Sequence, residues 1–331
     1  MAKNVSTDRQ AYIITGPTSG IGRATAFELA KHGTVVLVGR DPRKLDEVQN
    51  AIERKGQHAV SVVCNLADPA SVRRAAEEII ALNLPISGLV NNAGIMQMRP
   101  TQTDRGWDMS YATNHLGPCA LTEALVPHLP DGANVVFVVS GAEDPARKPA
   151  AAAGFRGGRY ISAEASARGE WQAGGSKRPG FDAYATTKQA ILAAALAYAR
   201  ETPRLRFNAV EPGLNLTTGL GARDAGGLVR ILQTSAIPLL VPLLMPFIKI
   251  LSTPKRAARV ITKVLINASD QTGVYYDEGG QPMQGSALVR DQKFQDRVVA
   301  ETRALLGTVP EALSETDPSL VGKGLERHLD V

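Results

Sequence analysis

The sequence predicts an α/β fold, an open, doubly wound and mostly parallel sheet with helices on both faces, and three features predict it. From residue 11 onward, short apolar runs alternate with longer amphipathic stretches, the rhythm of βα units. A glycine-rich turn falls where the first apolar run gives way to the first amphipathic stretch. The 331 residues, 44% hydrophobic and 21% charged, are enough for one large α/β domain with a sizeable core.

The elements follow in order. Residues 11–15 predict the first strand, 20–32 a helix, 34–38 the second strand and 43–55 a helix. Strands over 58–64, 87–91 and 134–139 alternate with helices over 71–82 and 113–129. A helix over 184–200, a strand over 206–210, a helix over 254–267 and a short strand near 273–276 complete the series. Right-handed crossovers between parallel strands place helices on both sheet faces. Two stretches break the rhythm: residues 141–182, rich in Ala, Gly and Arg, and the polar residues 308–331. The expected organisation is one domain over 1–307, with 141–182 as an insert covering the active site, an apolar substrate-side segment over 214–251, and a tail over 308–331.

Composition removes several function classes. The net charge is +5, but Lys and Arg are scattered and aromatic residues make up 5%, so no basic stripe with stacking platforms suggests a nucleic-acid partner. Cys64 and Cys119 are isolated, without zinc-site spacing, and the five histidines show no paired metal spacing. The polar residues 1–10 lack the apolar run of a secretory signal, so the expected compartment is the cytoplasm. Residues 231–248 carry no charge, but Pro238, Pro242 and Pro246 oppose a regular spanning helix, which makes membrane association a minor expectation.

The first chemical signal is Thr15-Gly16-Pro17-Thr18-Ser19-Gly20-Ile21-Gly22 at the strand-to-helix turn. Glycines there let the backbone turn tightly and approach a pyrophosphate, and the helix N-terminus offers unpaired N–H groups to its charge. A ligand-free structural turn is the alternative for this motif alone. The spacing resembles the short-chain dehydrogenase/reductase family, and the resemblance extends over nearly the whole chain. Asn91-Asn92-Ala93-Gly94 closes the fourth strand as in that family. Asn114, Ser140, Tyr184 and Lys188 fall in the family's order, and Pro212-Gly213 followed by Thr217 matches its stretch after the sixth strand. The segment from Ser140 to Pro145, the long insert and residues 275–286 look most like the retinol-dehydrogenase and protochlorophyllide-reductase-like branch. The resemblance implies a Rossmann-type dehydrogenase domain binding a nicotinamide coenzyme.

Hydride transfer to a carbonyl carbon needs a proton for the developing alkoxide, and the reverse reaction needs a base. Tyr184 has a suitable group with an unperturbed pKa near 10. Lys188, four residues later, shares its helix face and is expected to favour the phenolate. A core tyrosine and a surface lysine at chance spacing are the plain alternative. Ser140, ending the fifth strand, has a hydroxyl to share with the substrate oxygen and Tyr184. Asn114 resembles the family asparagine that holds a water in a proton relay, and could equally be a structural hydrogen-bonding residue.

Coenzyme choice is expected to rest on the end of the second strand. An acidic residue there would favour NAD(H), whereas this chain has Gly39 and Arg40, whose guanidinium can bind a 2′-phosphate, so NADP(H) is preferred and NAD(H) remains the alternative. Arg23 is a second candidate partner; Arg40 could instead be a solvated neighbour of Asp41. After the third strand, where the family usually has an acidic residue to contact adenine, Asn65 is followed by Leu66. The apolar 214–251 segment favours a lipophilic carbonyl or alcohol, although Arg156, Arg159, Arg168 and Arg178 in the insert allow a carboxylate-bearing one. NAD-dependent alcohol oxidation, double-bond reduction and a catalytically silent NADP-binding regulator stay open, as does a homo-oligomer.

Overall fold

The computed structural model describes residues 10–215, 252–267 and 270–307. Thr217, residues 231–248 and the 308–331 tail therefore lie outside the described residues. One sheet organises the chain, with strands in the order β3-β2-β1-β4-β5-β6-β7-β8. The strands are β1 (Ala11–Thr15), β2 (Thr34–Gly39), β3 (Ala59–Val63), β4 (Ile86–Asn91), β5 (Asn134–Val138), β6 (Arg206–Val210), β7 (Tyr275–Tyr276) and β8 (Pro282–Met283). All neighbouring pairs are parallel except β7 with β8. The order reverses between β1 and β4, so a crevice opens at the C-terminal ends of these strands, the place where such sheets bind ligands.

Helices α1 (Gly20–Leu29), α2 (Pro42–Glu53) and α3 (Pro69–Ala81) follow the first three strands. Asp41 and Asp68 cap α2 and α3 with their carboxylates, each just before a proline whose missing N–H costs nothing at a first helical position. The sheet is buried on both faces. One core joins Ile13, Leu89, Val135 and Phe207 to the helices on one side, and the other joins Ile14, Leu37 and Val136 to Leu45 and Ile261.

The single helix predicted over 113–129 is divided. Met109–Tyr111 forms α4, Ala112–Leu116 is a π-helical turn, and Gly117–Leu125 is α5. Two constraints meet there: Gly117 lies so close to the Leu66 carbonyl that a Cβ there would approach its oxygen to 2.2 Å, and Pro118 removes a helical donor.

The insert also holds more structure than its composition predicts. A 3₁₀ turn (Gly141–Glu143) leads to short helices α6 (Lys148–Ala152) and α7 (Ala163–Ala167). Helix α8 (Pro179–Glu201) begins before Tyr184, which places that residue inside the helix instead of at its start. Helix α9 (Pro254–Ile266) covers β5 and packs on α1. Beyond β8 come α10 (Ala287–Arg290) and α11 (Gln292–Leu306), elements the apolar rhythm left unassigned. Phe294, Val298, Val299 and Thr302 form the stripe that seats α11 against α8. Among the described residues, no helix is long and apolar enough to cross a membrane.

Candidate active site

The glycine turn is built by close approach. Gly16 has φ +69° and Gly20 φ +53°, in the left-handed region that favours glycine. A Cβ on Gly22 would lie 2.1 Å from the Gly16 carbonyl oxygen, so only glycine lets α1 seat this tightly against the turn. Thr15 Oγ1 accepts from the N–H groups of Asn92 and Ala93, both at 3.0 Å, and the Asn92 side chain donates to the Thr15 carbonyl at 2.9 Å. Asn92 therefore spends its amide on fixing the turn. Thr15 opens the motif, but its role in anchoring Asn92 and Ala93 was not assigned from the sequence. At the start of α1, Ser19 makes no side-chain cap bond, unlike Asp41 and Asp68 on α2 and α3. Thr18 and Ser19 lead into that helix end and Ile21 lies in its first turn. The cradle of Gly16, Gly20 and Gly22 and the uncapped first turn fit a dinucleotide pyrophosphate.

At the end of β2, Gly39 precedes an exposed Arg40. The neighbouring Asp41 carboxylate is turned towards Lys44, whose backbone N–H it accepts at 3.3 Å and whose ammonium lies 3.6 Å away. Among the described residues, Arg40 has no ion-pair partner. Arg23 stacks over Phe27, its guanidinium carbon 4.8 Å from the ring centroid. After β3, the exposed Asn65 accepts the Ala67 N–H through its side-chain oxygen, while Leu66 is buried against Gly117. Beyond β6, Pro212 and Gly213, the latter with φ +74°, are bridged by the Asn215 side chain, which donates to both carbonyls at 3.0 Å.

Three of the predicted chemical residues converge. Ser140 follows β5 and caps the 3₁₀ turn, accepting the Ala142 N–H at 3.3 Å. Tyr184 and Lys188 lie on one face of α8, with Lys188 Nζ donating to the Val138 carbonyl at 2.8 Å. Burial pushes the Tyr184 phenol up to about 12, with the Ser140 hydroxyl opposing and the Glu211 carboxylate adding to the rise. Burial also pushes the Lys188 ammonium down to about 8. Burial, and not the neighbouring ammonium, thus sets the direction at Tyr184, contrary to the lowering expected from Lys188, whose Nζ lies 5.6 Å from the ring centroid while it donates to the Val138 carbonyl.

Asn114 occupies the π turn and is buried. Its amide pairs with both backbone groups of Ile95, each at 2.8 Å, and donates to Thr187 Oγ1 at 3.2 Å; Thr187 in turn donates to the Tyr184 carbonyl. These contacts give the structural alternative for Asn114 its basis. A Cβ on Gly94 would still lie 3.5 Å from Asn114 Oδ1 and 3.6 Å from Lys188 Nζ, so the three residues share one spot.

On the insert side, Phe155 stacks on Phe181 with centroids 4.3 Å apart and reaches towards Tyr184 at 6.0 Å. Met96 and Phe155 pack around Tyr184 and Ala142, forming an apolar wall. The insert arginines are engaged within the insert: Arg156 and Arg159 hold backbone carbonyls, Arg168 pairs with Glu164 and Glu170, and Arg178 covers Phe181.

A family profile described as short chain dehydrogenase matches residues 10–152, which hold the glycine turn, the end of β4 and Ser140. Over those residues the chain is similar to the short-chain dehydrogenase/reductase family. Among the proteins it resembles, polyprenol dehydrogenase of Mus musculus is 42% identical and retinol dehydrogenase 13 of Homo sapiens 36% identical, each over 120 residues covering 35% of this chain and 36% of the relative. Dehydrogenase/reductase SDR family member 12 of Bos taurus is 30% identical over 222 residues, 65% of this chain and 64% of the relative. The alignments thus span between about a third and just under two thirds of these relatives' own lengths. The crystal structure of an uncharacterized protein from Mycobacterium paratuberculosis superposes with a TM-score of 0.65 at 26% identity, covering 91% of this chain and 94% of that one.

Proposed function

We propose that the protein is an NADP(H)-dependent oxidoreductase that moves a hydride between the coenzyme and a carbonyl or alcohol of a lipophilic small molecule. The observation that carries this reading is the meeting of Ser140, Tyr184 and Lys188 beside the glycine turn, at the crevice where the strand order reverses. The bound coenzyme supplies or accepts the hydride. Gly16, Gly20, Gly22 and the first turn of α1 hold its pyrophosphate, with Thr18, Ser19 and Ile21 beside them. Arg40 takes the 2′-phosphate, and Asn65 and Leu66 border the adenine. Asn92, Ala93, Gly94, Pro212 and Gly213 frame the nicotinamide half, and Thr217 is assigned there on the family pattern.

Tyr184 exchanges the proton with the substrate oxygen, Ser140 holds that oxygen through its hydroxyl, and Lys188 places positive charge beneath the tyrosine ring. A phenol pushed up to about 12 is protonated at neutral pH, which suits donation to a carbonyl and hence the reductive direction. The wall of Met96, Phe155 and Phe181 favours apolar substrates, in keeping with relatives named for retinol and polyprenol. Two free, buried cysteines fit a reducing cytoplasm.

The test is titration of the purified protein with NADPH and NADH, then a panel of apolar and hydrophilic carbonyls followed by loss of nicotinamide absorbance, with Tyr184→Phe alongside. Tight NADPH binding with turnover abolished in Tyr184→Phe is the expected result. Binding of neither coenzyme overturns the reading, and binding without turnover moves it to a regulator.

A further inference from the structure

Behind the reaction centre, separate parts of the chain meet around one ion pair. Glu211 directly follows β6, is 5% exposed, and lays its carboxylate against the backbone of Gly141: a Cβ there would lie 2.8 Å from Oε1 and 3.0 Å from Oε2. Any larger residue after Ser140 would displace that carboxylate. Arg147, from the insert, donates to Glu211 Oε2 at 2.9 Å and stands 3.6 Å from Glu278 Oε2 in the β7–β8 connection. The pair thus ties the Ser140 turn to the insert, to the end of β6 and to the β7–β8 connection.

The surroundings make its charge balance matter. The groups facing Glu211 are Arg147, Glu278, Glu143, the Tyr275 hydroxyl and Tyr184, with Lys188 beneath the Tyr184 ring. Glu143 is engaged by the N–H and hydroxyl of Ser286, at 2.8 and 2.7 Å. The Tyr275 hydroxyl is buried without a hydrogen-bond partner among the described residues. Arg147 is the only cation in this group outside the Tyr184–Lys188 pair. A carboxylate close to a phenol disfavours the phenolate, and its counter-ion relieves that effect.

We propose that Arg147 and Glu211 form a positioning pair for the reaction, holding the Ser140–Gly141 turn from behind and governing, through their charge balance, proton exchange at Tyr184. The proposal rests on the reading of Tyr184 as the proton-transfer residue. Glu211→Gln removes the negative charge facing the phenol, and Arg147→Gln leaves that charge uncompensated, so the two substitutions act on Tyr184 in opposite directions. A purely structural strut would lower stability or rate in both without moving any titration.

The experiment is an NMR titration of the full chain carrying isotope-labelled tyrosine, with the Tyr184 signal assigned by its loss in Tyr184→Phe, run beside the pH profile of NADPH-linked reduction of an aromatic ketone. The expected result is a Tyr184 midpoint moved to lower pH in Glu211→Gln and to higher pH in Arg147→Gln, each by about half a unit or more. Arg147→Lys keeps the charge, provides a conservative folded arm, and is expected to titrate close to the parent. Midpoints unmoved in both Gln variants, or moved in the same direction, overturn the proposal. Should Tyr184→Phe retain turnover, the proton-transfer reading falls while the NMR midpoints still decide whether the pair acts on Tyr184.

Discussion

Lys188 Nζ lies 5.6 Å from the centroid of the Tyr184 ring and is held there by the Val138 carbonyl at 2.8 Å. The ammonium is fixed by the strand that leads into Ser140, so strand and helix place Ser140, Tyr184 and Lys188 as one unit. Tyr184→Phe is expected to lower kcat roughly a hundred- to ten-thousand-fold, the usual worth of a positioned acid. Lys188→Met should fall in the same range and also raise KM for the coenzyme. Because burial brings Lys188 down to about 8, its charge is lost as pH rises through that value, and coenzyme KM in the parent should climb across the same interval. Steady-state kinetics from neutral to alkaline pH check all three statements.

Arg40 should decide between the coenzymes. Its side chain is exposed and Asp41 is committed to Lys44, so no neighbouring carboxylate competes for it. Arg40→Ala is expected to raise KM for NADPH about ten- to a hundredfold, the worth of a charge-assisted hydrogen bond, and to leave NADH within about a factor of two. Equal losses for both coenzymes would remove Arg40 from the phosphate site.

The buried Glu143 predicts a stability profile. Burial raises it from an ordinary 4.5 to about 7, so the folded protein binds a proton more tightly than the unfolded chain. That contribution is complete below about 4.5 and is lost as pH rises through about 7. Glu143→Gln keeps an acceptor for the Ser286 N–H without the charge. Its melting temperature should therefore gain on the parent as pH rises through this window, with a total difference on the order of 3 kcal/mol. Thermal melts at pH 4.5, 6 and 8 check the sign.

Phe155→Ala should separate substrates by size and polarity. The ring stacks on Phe181 and faces Tyr184, so its loss removes apolar contact near the reacting carbon while leaving the proton-transfer groups in place. KM for a bulky apolar ketone is expected to rise about tenfold, with a small hydrophilic ketone changed by less than about twofold.

Much of this architecture was legible because its causes are local. The apolar runs of β1 and β2, and the Asp41-Pro42 and Asp68-Pro69 helix starts, each express a rule acting over a few residues. The glycine turn was legible for the same reason, since Gly16 and Gly22 meet across a short stretch of chain. The π turn around Asn114 was not, because its cause is the Leu66 carbonyl pressing on Gly117 from a distant part of the sequence. Nor was the Arg147–Glu211 pair, whose members are 64 residues apart and carry no shared spacing. Helix α11 had a readable stripe in Phe294, Val298 and Val299, but only its packing on α8 shows what the stripe is for.

That last helix has a consequence for how the protein is made. Arg303 on α11 bridges Glu123 of α5 and Glu201 of α8, and Thr302 is bonded to the buried His115 at 2.8 Å. The helix bearing Tyr184 and Lys188 is therefore completed by a segment that leaves the ribosome well after it. A nascent chain holding every residue of the glycine turn and of α8 still leaves one flank of α8 bare until residues 292–306 have emerged and closed over it.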